Sequence, residues 1–123
     1  MAASPIITWF EIPSVDYNRA VQFYETVFNS SLKHEEMDGM AMAVFPRAEE
    51  GQSAGAVVHC DAFKPSATGV CIYLYSTDFD AALQRIERNG GKVVMPKMSI
   101  GPNGFIAHFI DSEGNRIGLH TNP

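Results

Sequence analysis

Trp9-Phe-Glu-Ile-Pro-Ser-Val-Asp16, running into Tyr17-Asn-Arg-Ala-Val-Gln-Phe-Tyr-Glu25, decides the fold because the chain repeats it. Cys71-Ile-Tyr-Leu-Tyr-Ser-Thr-Asp78 leads into Phe79-Asp-Ala-Ala-Leu-Gln-Arg-Ile-Glu87 at a constant offset of 62 residues. Ser14/Ser76, Asp16/Asp78, Ala20/Ala82, Gln22/Gln84 and Glu25/Glu87 are identical pairs. A second echo sets Glu50-Gly51-Gln-Ser-Ala-Gly55 against Glu113-Gly114-Asn-Arg-Ile-Gly118 at an offset of 63. An internal repeat constrains the whole architecture. Here it predicts two similar modules, about 5–60 and about 69–122, within one domain spanning 1–123, and a cavity between them.

Each repeat reads as a strand, then a helix, then further strands. Ile6–Ile12 is rich in β-branched and aromatic residues, as strands are. Asp16 is a good N-cap for the next segment, where Ala20, Phe23, Tyr24, Val27 and Phe28 recur at helical spacing. Asp38-Gly39 between Leu32–Met37 and Met40–Phe45 is a hairpin signal. Glu49–Ser53 is a polar turn, Gly55–His59 is the next strand, and Asp61–Thr68 is a linker. In the second repeat Val70–Tyr75 is a strand, and Asp78 caps a helix whose apolar face carries Ala82, Leu83 and Ile86. Asn89-Gly90-Gly91 stops it, Lys92–Met95 is a strand, and Phe105–Ile110 pairs with Arg116–His120 around Asp111–Gly114. The predicted class is α+β: βαβββ twice in tandem, with two curved sheets forming a cup.

Bulk properties narrow the function. The 123 residues carry a formal net charge of −5 and no Lys/Arg cluster, which argues against a nucleic-acid surface. The N-terminus lacks the basic start and apolar run of a signal peptide, and no window has the ~20 apolar residues of a membrane span. Cys60 and Cys71 have no CxxC spacing, so a reduced, cytoplasmic protein is the simplest expectation.

Strand alternation nominates the cup's lining. With Phe10 and Ile12 packed under the first helix, Trp9 and Glu11 face the other way; with Ile72 and Leu74 under the second, Cys71, Tyr73 and Tyr75 do the same. Gly55, Val57 and His59 share one face, as do Gly118 and His120. A carboxylate at Glu11 beside large aromatics is costly unless paired.

The pattern resembles the vicinal-oxygen-chelate superfamily, which includes glyoxalase I, fosfomycin and bleomycin resistance proteins and extradiol dioxygenases. The resemblance covers residues 6–121. It is most specific at Trp9–Pro13 with Asp16, Arg19-Ala20 and Phe23-Tyr24, at Asn89-Gly90-Gly91, and at Asp111-Ser-Glu-Gly-Asn-Arg-Ile-Gly-Leu-His120. In detail it is similar to a glyoxalase-related, lactoylglutathione-lyase-like subgroup. In metal-dependent members a His or Glu on the first and last strand of each module binds a divalent ion. Carried over by motif, those positions fall at Trp9, Gly55, Cys71 and Gly118, none of which is His or Glu. A divalent ion needs several O or N ligands, so the expectation is no metal and no other cofactor.

Glu11, Tyr73, Val57 and His120 lie two residues beyond those positions. Glu11 and His120 are candidates for an acid–base pair with Tyr73 as donor; a structural hydrogen bond in a packed sheet is the competing reading. Trp9 is placed to stack on a flat ligand or to fill the core. Cys71 is a candidate nucleophile or ligand contact, or an inert buried thiol, with no histidine near it in the repeat frame. His59 falls at the cup rim or the linker, and His34 and His108 show no partner. The Lys92–Lys97 strand and the Ser99–Gly104 loop are placed to cover the cup, with a plain surface loop as the competing reading. The resemblance therefore implies a small-molecule-binding protein, with a metal-independent lyase or isomerase as its enzymatic form. The alternative is a non-catalytic binder that sequesters an aromatic compound or antibiotic. Open sheet edges and an apolar rim further predict a homodimer.

Overall fold

The computed structural model describes residues 6–49, 52 and 54–123; Glu50, Gly51 and Ser53, part of the second echo, lie outside them. The element order is β1 (Trp9–Pro13), α1 (Tyr17–Phe28), β2 (Lys33–Met37), β3 (Met40–Val44) and β4 (Ala54–Val58), then β5 (Ile72–Tyr75), α2 (Phe79–Arg88), β6 (Lys92–Ser99), β7 (Phe105–Ile110) and β8 (Arg116–Thr121). The sheets are ordered β1-β4-β3-β2 and β5-β8-β7-β6, so both modules share one topology. The fold is α+β with two tandem modules, as the repeat predicts, and the cup is not closed.

Both helices lie in one core with the inner faces of both sheets. Phe23, Tyr24 and Val27 of α1 and Ala82 and Ile86 of α2 pack with Ile12, Val57, Phe109, Ile117 and Leu119. The Phe23 and Phe109 rings, from different modules, are 6.1 Å apart. Because the sheets present their helix-covered faces to this shared core, their other faces point outward.

A polar lock joins the modules. The Glu113 side chain is fully buried and accepts the Val15 and Asp16 amides at 2.9 and 2.7 Å and the Arg19 guanidinium at 2.8 and 3.1 Å. Those bonds hold its carboxyl at about 2, below the usual range, against a burial penalty that alone pushes it up. Tyr24 donates to Asp111, and Asn115 donates to the Pro13 carbonyl. Thus the Asp111–Asn115 turn of one module grips the β1–α1 junction of the other.

Local chemistry explains the elements. Asp16 Oδ1 accepts the Arg19 amide as an N-cap, and Asn29 closes α1 in the left-handed region at φ 49°. Asp38 and Gly39 both have positive φ, as a tight two-residue hairpin turn requires. Two expectations need correction. Asp78 holds the N-cap position of α2 but makes no capping bond, because Arg85 and Ser76 occupy its Oδ1. The strand at Lys92 runs on to Ser99 through Pro96, which an edge strand with register shifts tolerates.

The strand register corrects the second echo. Phe10 pairs with Gly55 and Glu11 with Ala56, whereas Ile72 pairs with Ile117 and Tyr73 with Gly118. The structural offset is therefore 62 in the last strands too, and Gly118 corresponds to Ala56 rather than Gly55. The β7–β8 turn closes where Ile110 meets Arg116, while the loop between Val44 and Ala56 is longer. The Glu-Gly echo therefore occupies unequal positions in the two hairpins.

Candidate functional site

The outward face of the second sheet gathers polar and aromatic side chains. Tyr73 and Tyr75 come from β5, His108 from β7, and Arg116 and His120 from β8. Pairing of His108 with Gly118, and of Gly118 with Tyr73, stacks three neighbouring strands in line. Gly118 matters because the Tyr73 ring lies where its Cβ would be, so any side chain there displaces the ring.

His108 is the hub of this face. Arg116 Nε donates to His108 Nδ1 at 2.9 Å, and Tyr73 Oη lies 2.6 Å from His108 Nε2. An arginine never gives up its proton, so Nδ1 is the acceptor and the hydrogen of the neutral ring sits on Nε2. Burial, with Arg116 second, lowers the His108 pKa and favours that neutral form. Nε2–H then donates to Tyr73 Oη. The Tyr73 hydroxyl hydrogen is left for the nearby Cys71 sulfur, a weak acceptor, or for a ligand. Burial first, then Cys71, raises the Tyr73 pKa, so the phenol stays protonated. The group that results is an oriented hydrogen-bond donor, 47% exposed, on an aromatic floor.

The same tautomer bears on Cys71. Its sulfur is 3.9 Å from His108 Nε2, a histidine that the repeat frame did not reveal. That nitrogen carries hydrogen, so it is not poised to deprotonate the thiol. Nearby, His120 Nε2 contacts the Asn103 carbonyl at 2.8 Å and its ring lies edge-on to Tyr75. The Ser99–Gly104 segment therefore reaches this face through Asn103.

The first sheet's outward side differs. Met42, Val44, Ala56 and Val58 form a second buried apolar cluster there, with Met40 against it. Glu11, paired with Ala56, points to this side and accepts Trp9 Nε1 at 3.3 Å, and Arg47 lies 5.9 Å from the Trp9 ring. No hydrogen bond joins Glu11 to His120; they belong to different sheets with different partners.

Two nominated residues leave the cup. Val57 is fully buried in the helix-facing core, because it pairs with Ile12. His59 is exposed just past β4, and its Nδ1 contacts the Ser14 carbonyl at 2.9 Å. His108 and Arg116 were missed. Alternation from Ala107 and Phe109, both core residues, is the signal that turns His108 outward.

With the register corrected, the positions that the resemblance assigns to a metal are Trp9, Ala56, Cys71 and Gly118. One thiol among them does not suit a divalent ion. Among the described residues no three His, Cys, Asp or Glu side chains are grouped to hold one.

The model of the Glyoxalase/Bleomycin resistance protein/Dioxygenase superfamily matches residues 6–119. The chain belongs to that superfamily. A glyoxylase-like domain-containing protein of Didymella fabae is 27% identical, over 95% of this chain and 94% of the relative. The chain spans only 43% of the length of other curated relatives it matches. Among solved structures, a glyoxalase/bleomycin resistance protein from Albidiferax ferrireducens has a TM-score of 0.73 at 12% identity, covering 97% of this chain and 100% of that one. TnmS3, an antibiotic binding protein from Streptomyces, has a TM-score of 0.66 at 24% identity, with both chains fully covered. Among the described residues no helix is long and apolar enough to cross a membrane.

Proposed function

We propose that this chain is a metal-independent small-molecule-binding protein. Its ligand is an aromatic compound bearing a carbonyl or similar acceptor oxygen, held on the outward face of the second module. The observation that carries this reading is the Arg116–His108–Tyr73 relay, which turns the Tyr73 hydroxyl into a donor for a ligand. Half-exposed Tyr73 and Tyr75 supply ring surface for an aromatic body. A second copy completes the cup, its Trp9 and Glu11 face meeting the Tyr73 face, so the working form is a homodimer. Exposed Trp9, Met37, Tyr73, Tyr75 and Met98 on these strands support that arrangement. Unpaired Cys60 and Cys71 fit a reduced cytoplasm, and the net charge of −5 disfavours nucleic acid.

Binding is favoured over lyase or isomerase chemistry because the relay supplies a donor and no base. An acid–base role for Glu11 with His120 would require the two residues to meet across copies.

The test is titration with 2-acetylnaphthalene, followed by amide chemical shifts, with naphthalene as the control lacking the oxygen. The ketone is expected to bind tighter and to shift resonances around Tyr73, His108 and Gly118. Tyr73→Phe is expected to weaken it roughly three- to tenfold, the worth of one neutral hydrogen bond, without affecting naphthalene. Equal affinity of wild type and Tyr73→Phe for the ketone overturns the reading.

A further inference from the structure

We infer that the ligand of the Tyr73 face is an anion, an aromatic carboxylate whose charged end lies on Arg116 and Lys92; this rests on the reading of that face proposed above. The strand register sets the place. Ile110 of β7 pairs with Arg116 on one side and with Lys92 on the other. Ala107 and Phe109 are core residues, so alternation turns Ile110, and with it Arg116 and Lys92, to the outward face that carries His108 and Tyr73. These three residues form the row next to His108, Gly118 and Tyr73, about 7 Å away along the strands.

The charge on this row is uncompensated. Arg116 is half-buried, and among the described residues its side chain makes a single hydrogen bond, from Nε to His108. Arg19 and Arg85 each hold a carboxylate, Glu113 and Asp78, whereas no described carboxylate pairs with Arg116 or with exposed Lys92. Strands β5 to β8 contain no Asp or Glu, in a chain with 14 acidic and 9 Lys or Arg residues. Held at Nε, the Arg116 guanidinium is fixed in place and its two Nη groups are left to grip a carboxylate side by side. The ligand thus sets an acceptor oxygen at Tyr73 and its negative charge one row further, across the apolar Ile110.

Amide chemical-shift titration of the full chain with 6-acetyl-2-naphthoate tests this, with 2-acetylnaphthalene and its 6-aminomethyl derivative as neutral and cationic analogues. The acid is expected to shift Lys92, Ile110 and Arg116 and to bind about three- to tenfold tighter than the neutral ketone, as one partly exposed charged contact gives. The gain should shrink between about 50 mM and about 0.5 M salt, and the cation should bind weakest. Arg116→Gln should erase the gain. Because Arg116 also orients His108, Lys92→Gln, outside the relay, serves as a second variant and should lower the gain roughly twofold. Equal binding of acid and neutral ketone, tighter binding of the cation, or an unchanged gain in both variants each overturns the inference. A carboxylate supplied by Glu11 of a second copy would neutralise Arg116 and produce the first of these results. If the ketone binds through Tyr73 and the acid gains nothing, this inference fails alone. If the acid gains through Arg116 while Tyr73→Phe leaves the ketone unchanged, the Tyr73 donor fails alone.

Discussion

Each module covers a strand glycine with an aromatic ring from the paired strand, but on opposite sides. Phe10 lies over Gly55 on the helix-facing side, and Tyr73 lies over Gly118 on the outward side. The first pair therefore lies half-buried against Phe45 and the second on the surface. The outward faces follow suit. In module one it closes on Met42, Val44, Ala56 and Val58, the last fully buried; in module two Tyr75 is 50% exposed beside His120. Two copies of one topology thus diverged into an apolar wall and a polar, aromatic platform. Equivalent backbone positions do not imply equivalent chemistry; the residue on each side of the pleat decides it.

The opposed arrangement depends on the junction, so the largest effect is expected there. Glu113→Ala strips the half-exposed Arg19 guanidinium and the Val15 and Asp16 amides of their partner, and should cost about 2–3 kcal/mol in chemical denaturation. Acid tests the same group. Its carboxyl titrates at about 2 in the folded chain, below the ordinary value of 4.5. A depressed folded value stabilises above the unfolded one, so stability should be full above roughly pH 4.5. It should then fall by about 3 kcal/mol as pH drops toward 2. Glu113→Gln should flatten that part of the pH profile.

Substitution of the two glycines breaks the comparison directly. Gly55→Val drives a side chain into the half-buried Phe10 ring, which packs against Phe45, and should cost about 2 kcal/mol. Gly118→Val meets the Tyr73 ring, which has solvent to swing into, so about 1 kcal/mol is expected. Binding of 2-acetylnaphthalene should nonetheless be lost in Gly118→Val, because the hydroxyl moves off His108. Equal destabilisation by both changes would show that the two rings are not in different environments.

Much of the fold was legible in the sequence. The 62-residue repeat set two modules, and Phe10/Ile12 against Ile72/Leu74 set which strand faces meet the helices. The face of Val57 was misjudged because the Glu-Gly echo, offset by 63, falls in hairpins of unequal length. His108 escaped notice because Tyr73, its partner, lies 35 residues away on a strand two places across the sheet. The motif from Asp111 to Asn115 carried the family resemblance, yet its role as an intermodule clamp emerges only when β1 and α1 are packed against it.

The Tyr73 donor rests on the proton arrangement of one ring, which nitrogen-15 spectroscopy of His108 reads directly. At pH 7 the expected spectrum is a neutral imidazole with hydrogen on Nε2 and an unprotonated Nδ1 accepting from Arg116. Protonated Nδ1, whether as the other tautomer or as imidazolium, would contradict it, since the Arg116 bond would then be absent and Tyr73 would no longer be held as a donor.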